Sequence, residues 1–165
     1  MDISKLFDLP AHPLLVHAPV VLLPLAALAS LLVALRPSLR RHYGWPTVVL
    51  AGVAAFSSVL AASSGEALQE SVKRTAALHN HTELGDAMKI IGLLFFFAVL
   101  ALMITDRFLV QNAETDGAII ARSPLLMALS ALTVVLAILS TVWIVRVGHS
   151  GAKATWQNVK VRSGG

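Results

Sequence analysis

The chain has 165 residues, of which 56% are apolar and 13% charged, and its mean hydropathy is +0.76. Soluble domains have about 45–50% apolar and about 25% charged residues, so this chain has too few polar side chains to cover a soluble surface. The composition excludes a disordered chain, the absence of cysteine excludes disulfides and thiolate sites, and a scattered net charge of +4 gives no indication of nucleic-acid binding. We therefore expect an integral membrane protein whose main partner is the lipid bilayer.

Four stretches nearly free of charge are long enough to cross a bilayer, which takes about 20 helical residues for ~30 Å of hydrocarbon. In chain order they predict helices at about 13–35, 45–64, 86–105 and 124–147. Lys89, the one charged residue in the stretch 87–105, is close enough to a helix end to reach the headgroups. The predicted fold class is all-α, a four-transmembrane-helix bundle forming a single membrane domain over residues 1–165.

The connecting segments contain turn and interface residues. Pro37 follows the first stretch, and a polar link at 66–85 is expected to contain a short interfacial helix over 66–73. The N-terminal apolar run is longer than a signal-peptide core and lacks a positive n-region, so we predict that it is the first membrane helix. Residues 160–165 are predicted to be a disordered tail. A basic and aromatic interfacial belt is expected at Arg40, Arg41, Tyr43 and Trp45.

Four crossings place both termini on one side of the membrane, here called the terminal face; the other side is the opposite face. Lys5 precedes the first helix, whereas Arg36, Arg40 and Arg41 follow it. Because positive residues flanking the first helix favour the cytoplasm, we predict that the termini lie outside.

The histidines are the main functional indication, because five of the six lie towards the terminal face. His17 is about 6 Å inside the first helix, counting from Pro13, and an ionisable group at that depth indicates a functional site. His12 and His17 are five residues apart and do not share a helical face, so ligands to one ion should come from different helices. We select His17 with His149 or His81 as the ligand pair, and His12 as a further candidate that has an anchoring role as its alternative.

Gly85 and Gly92 follow His81 on one stripe of the third helix. They are candidate cofactor-binding positions, because small residues leave room for a flat macrocycle; ordinary helix packing is the alternative. Charged residues on the same face are candidate partners that fix a histidine tautomer, with simple solvation as the alternative. These residues are Glu66, Glu83, Asp86 and Arg146.

The segment Ala11–Pro19 (AHPLLVHAP) resembles the opening signature HPLLVHFP of a bacterial membrane family catalogued as domain of unknown function 2231. Residues 81–85 are similar to its His-x-x-x-Gly motif and residues 148–151 to its Gly-His-x-Gly motif, whereas Ala18 stands where the family often has an aromatic residue. The resemblance implies four helices in a prokaryotic inner membrane. It also implies an association with redox proteins, since some members are fused to a Rieske iron–sulfur domain, but it implies no activity.

Three functions fit these features. The first is a small b-type cytochrome-like protein, in which two histidines hold haem b for electron transfer with a quinone or a redox protein. The second is a Zn, Cu or Fe site at His17, His81 and His149. The third is a non-catalytic membrane subunit or scaffold. A turnover enzyme is not favoured, because no nucleophile elbow, phosphate loop or dinucleotide fingerprint is present. A homodimer is considered as well, because the chain is short for a transporter.

Overall fold

The computed structural model describes residues 5–6, 9–72, 74–112 and 123–156. Lys5–Leu6 (β1) and Leu9–Pro10 (β2) form a two-residue antiparallel pairing ahead of the helices. Five helices follow among the described residues, and the two shortest form one membrane crossing. They are α1 (Ala11–Leu15), α2 (His17–Leu35), α3 (Pro37–Ser71), α4 (Ala76–Asn112) and α5 (Pro124–Trp156).

Four helical segments are long and apolar enough to cross a membrane: Ala11–Leu35, Pro37–Glu70, Ala76–Val110 and Pro124–Trp156. The predicted all-α fold with four transmembrane helices is therefore confirmed. Most of the large apolar side chains that remain exposed lie on these segments, for example Phe56, Phe97 and Val145. In a bilayer these side chains contact lipid.

Proline sets two of the helix boundaries. Pro19 has no N–H to donate to Leu15, and its ring crowds that carbonyl, so the first crossing is interrupted at Val16. Arg36 is extended, with φ −123° and ψ 90°, because a residue that precedes proline is disfavoured in the helical region. Pro37 then begins α3, where its missing N–H has no cost.

The helices run beyond the charge-free stretches of the sequence. The segment at 66–73, expected to be a separate interfacial helix, is instead the end of α3 as far as Ser71, and α4 begins at Ala76. Polar ends of membrane helices satisfy their own backbone groups and can continue into the headgroup region, which charge alone does not indicate. The tail predicted at 160–165 lies outside the described residues.

The bundle is cyclic: α2 packs on α3, α3 on α4, α4 on α5 and α5 on α2, while α2 and α4 are diagonal and barely touch. The core is built from a few large side chains between small ones. Leu23, Phe95, Leu102 and Leu126 are fully buried, and α3 has a row of alanines that includes Ala51 and Ala54 facing them. Small residues on α3 allow its neighbours to approach closely.

Arg40 is buried rather than interfacial, in contrast to the predicted belt; Arg41, Tyr43 and Trp45 of that belt are exposed. Its guanidinium donates to the Val33 carbonyl (2.9 Å) and the Ala34 carbonyl (3.1 Å) at the end of α2. It also donates to Asp106 Oδ1 of α4 (2.9 Å) and to Ser130 Oγ of α5 (2.9 Å). One side chain therefore joins all four crossings at the opposite face.

Candidate cofactor site

Two imidazoles from different helices meet at the terminal face of the bundle. His12 of α1 and His81 of α4 have their ring centroids 6.1 Å apart, with an angle of 72° between the ring planes. Both residues are half-buried. Sequence analysis ranked His12 below His17, but the structure brings His12, and not His17, next to His81.

His12 is held by the end of α3. Its Nδ1 lies 2.8 Å from the Ala61 carbonyl oxygen and 3.3 Å from Ser64 Oγ. A carbonyl only accepts hydrogen bonds, so Nδ1 must carry the proton and donate it. The neutral ring therefore has its lone pair on Nε2, the usual arrangement for a histidine that is about to bind a metal.

His81 is held by the end of α5 in the same way. Its Nδ1 lies 3.0 Å from Ser150 Oγ, and the Ser150 hydroxyl donates its single proton to the Val147 carbonyl at 2.8 Å. The hydroxyl oxygen is left as an acceptor, so His81 also carries its proton on Nδ1 and its lone pair on Nε2. Among the described residues neither Nε2 has a hydrogen-bond partner.

A glycine lies against each ring. A Cβ on Gly65 would come within 2.9 Å of His12 Cε1, and a Cβ on Gly151 within 3.0 Å of His81 Cε1. Each of these glycines directly follows a serine that bonds back three residues, Ser64 to Ala61 and Ser150 to Val147. We call these two Ser-Gly pairs, Ser64-Gly65 and Ser150-Gly151, the histidine cradles.

No internal repeat is apparent in the sequence, and the cradles were not predicted. The local pattern that could have revealed them is a Ser-Gly dipeptide near the end of the membrane crossing that follows each histidine-bearing crossing. The predicted tautomer-fixing role of charged neighbours is replaced here by serine and backbone oxygens.

Charged groups beside the cradles link two of the helices. Lys89 Nζ contacts Glu66 Oε1, next to Gly65, and lies 2.8 Å from Asp86 Oδ1. His79 and Glu83 form an exposed pair at 3.4 Å. Exposed pairs contribute little to stability, and Glu66 is exposed as well, so the pair at Lys89 links α3 to α4 near the rings without adding much to stability.

Trp143 fixes α5 against α4 one turn beyond His81. Its indole N–H donates to the Leu84 carbonyl at 3.0 Å, and the Arg146 guanidinium lies 4.8 Å from the centre of its ring. This contact keeps the Ser150-Gly151 cradle in register with His81.

The remaining predicted site residues are not part of the recorded contact between His12 and His81. His17 and His149 are both exposed. Gly85 has open space where a Cβ would stand, whereas a Cβ on Gly92 would meet the Ala55 Cα and Ser58 of α3 at 3.7 Å. Gly85 thus leaves room one turn from His81, and Gly92 lies at a helix contact. Within the described ranges no group of three or more His, Asp or Glu side chains is close enough together to hold a metal ion.

Fold and site together define a four-helix integral membrane protein with a two-imidazole site at the terminal face. The family described as predicted membrane protein (DUF2231) matches residues 8–162, and the chain belongs to this family. No curated protein and no solved structure matches the chain.

Proposed function

We propose that this protein is a small membrane electron-transfer protein that binds haem b between His12 and His81. One observation carries the proposal: two imidazoles from different helices lie next to each other, each with its Nδ1 held by the backbone or a serine and, among the described residues, with no hydrogen-bond partner at Nε2. Axial haem ligands have these properties, because the outer hydrogen bond fixes the tautomer and raises the basicity of the ligating nitrogen.

The separation of the rings is compatible with His12 and His81 holding one metal together. A metal–nitrogen bond of ~2 Å and ~1 Å from nitrogen to ring centre would place the two ring centres up to about 6 Å apart, and the rings are 6.1 Å apart. Iron in haem needs only two protein ligands, whereas a bare zinc site takes three or four.

Bis-histidine ligation leaves haem iron without a free position, so the chemistry that such a group supplies is one-electron transfer. The chain's own residues would hold and insulate it. Gly85 leaves space beside His81, and the Lys89–Glu66 contact closes the bundle next to the other cradle. The electron partner in this proposal is a quinone or a redox protein, and the protein lies in a bacterial inner membrane with its termini outside.

A scaffold is the second candidate, favoured by one observation. The Nδ1 bonds of His12 and His81 join α1 to α3 and α4 to α5, so both histidines also stabilise helix contacts without any cofactor. The scaffold and the cytochrome differ in their absorbance, because only haem gives a visible spectrum.

The test is a visible spectrum of the detergent-purified protein from haem-replete cells, oxidised and then reduced with dithionite. We expect split α and β bands on reduction, lost in His12→Ala and His81→Ala. His17→Ala and His149→Ala are the matched controls, because each removes an exposed histidine near the same face, and both should keep the bands.

The possible results separate the assignments. Bands that survive His12→Ala but disappear in His17→Ala and His149→Ala would restore the pair chosen from the sequence. A colourless wild-type protein would overturn the haem proposal. Elemental analysis of that protein would then decide between a Zn, Cu or Fe ion and the scaffold.

A further inference from the structure

An apolar groove of about 260 Å³ runs between α2 and α3, far from the imidazoles and towards the opposite face. Its floor includes the buried Val33 and Thr47, and its rim includes the exposed Leu32 and Tyr43. The Thr47 hydroxyl donates to the Tyr43 carbonyl at 2.7 Å, so it has no proton left to donate to an occupant. The groove therefore suits a hydrocarbon chain.

The length of the groove matches one leaflet of the membrane. It follows α3 from Leu39 to Leu50, eleven residues, or about 16 Å at 1.5 Å per residue. The hydrocarbon core is ~30 Å thick, so this distance is about half of it. An occupant entering from the opposite face would remain within a single leaflet.

A positively charged residue, Arg36, lies at the helix corner next to the residues that line this groove. Arg36 is the corner between α2 and α3; its N–H donates to the Leu32 carbonyl and its own carbonyl accepts from the Leu39 N–H, and both leucines line the groove. Arg36 is exposed, and among the described residues its guanidinium has no ion-pair partner. The first turn of α3 has no acidic residue that would neutralise it.

We propose that the α2–α3 groove is a binding site for an anionic phospholipid, with one acyl chain in the groove and the phosphate on Arg36. An acyl chain alone would fit any apolar groove, but the free guanidinium of Arg36 at the adjoining corner selects a negatively charged headgroup. The site is independent of the haem proposal, because it lies at the other end of the bundle.

The experiment measures lipid retained by the detergent-purified protein, using native mass spectrometry with phosphatidylglycerol and with phosphatidylcholine of identical acyl chains. We expect phosphatidylglycerol to be preferred. Arg36→Gln should reduce that preference about tenfold, the size of one lost charge-assisted hydrogen bond. Ala29→Phe, which fills the groove, should remove binding of both lipids.

Each variant has a matched control. Arg41→Gln removes an exposed arginine that is about 200° away from Leu39 around α3, so it should leave the preference unchanged. Ala101→Phe fills a second apolar groove, of about 330 Å³ between α4 and α5, and should leave phosphatidylglycerol bound.

Equal loss of preference in Arg36→Gln and Arg41→Gln would overturn the proposal, because the selectivity would then reflect net charge alone. Loss of lipid in Ala101→Phe but not in Ala29→Phe would overturn it as well, by moving the site to the α4–α5 groove. Equal retention of the two lipids by the wild-type protein would show that headgroup charge is not recognised.

Discussion

Gly65 and Gly151 are the two glycines at which a side chain would meet an imidazole ring, at 2.9 and 3.0 Å. At both positions hydrogen is the only substituent that lets the ring approach the helix backbone closely. The acceptor for Nδ1 is the Ser150 hydroxyl at His81 and the Ala61 carbonyl, with Ser64 beside it, at His12. The glycine thus sets the position of each ring, and the neighbouring oxygen sets its tautomer.

Gly151→Ala is predicted to displace the His81 ring and break its bond to Ser150. The folded state loses a hydrogen bond of about 1 kcal/mol, but gains up to about 1 kcal/mol from the better helix propensity of alanine. We expect thermal stability close to that of the wild type together with a changed His81 tautomer, read from ¹⁵N imidazole shifts, and lower haem retention.

Gly148→Ala is the control on the same helix, because a Cβ at Gly148 has nothing within 4 Å. It should leave the His81 shifts and haem retention unchanged. An unperturbed His81 in Gly151→Ala would show that the close glycine contact does not position the ring.

The helices contact one another through a different set of small residues. Gly92 of α4 lies against Ala55 and Ser58 of α3, and a Cβ on Gly52 of α3 would come within 3.1 Å of Phe96. These positions determine how closely α3 and α4 pack in a bilayer, where packing rather than hydrophobic burial drives association.

Gly92 is predicted to tolerate alanine and reject leucine. A Cβ at 3.7 Å is an ordinary contact, so the free energy of unfolding of Gly92→Ala should equal that of the wild type or exceed it by up to about 1 kcal/mol, from the better helix propensity of alanine. Gly92→Leu overpacks the α3–α4 interface and should cost about 1–3 kcal/mol. Thermal unfolding in one detergent compares the two; equal stability would contradict the close contact.

Arg40 joins the four crossings, and its removal is predicted to cost about 3–5 kcal/mol, because Asp106 and two α2 carbonyls lose their partner in a buried setting. Arg40→Ala should therefore lower the unfolding temperature strongly. Arg107→Ala removes an exposed arginine next to Asp106 and should change stability by no more than about 0.5 kcal/mol. Similar effects of both substitutions would show that Arg40 is no more than an interfacial charge.

At the scale of the whole molecule, the α2–α3 corner and the α3–α4 link lie at the two ends of the single α3 crossing and therefore on opposite sides of the membrane. The chain has no cysteine, so a single introduced cysteine is its only thiol that a maleimide can label. We predict that Arg74→Cys reacts with an impermeant maleimide added to intact cells, and that Ser38→Cys reacts only after the cells are opened.

Both residues are exposed, so protein burial does not hide either thiol. The reverse labelling would keep the four crossings but invert the proposed orientation. Labelling of both from one side would contradict the four-crossing fold.

The four-helix fold could be predicted from the apolar composition and from the length of the charge-free stretches. The reason is that a chain crossing a bilayer must hydrogen-bond every backbone group within its own helix. The α2–α3 corner was predictable as well, since Pro37 restricts Arg36. The pairing of His12 with His81 could not be predicted from the sequence. His12 precedes a proline and a helix interruption at Val16, so no helical-angle argument could place it against α3. Likewise, a buried Arg40 depends on Asp106 and Ser130, which are distant in sequence.

Each cradle belongs to its own helical hairpin: His12 is ordered by α3, and His81 by α5. Each imidazole is therefore preorganised before the two hairpins associate. A ligand entering between the rings does not have to immobilise either side chain, which would otherwise oppose binding by about 0.5–1.5 kcal/mol for each one. Since the two rings meet only when α4 packs on α3, assembly of the bundle and completion of the site are a single event, and any ligand of both rings also stabilises the joined hairpins.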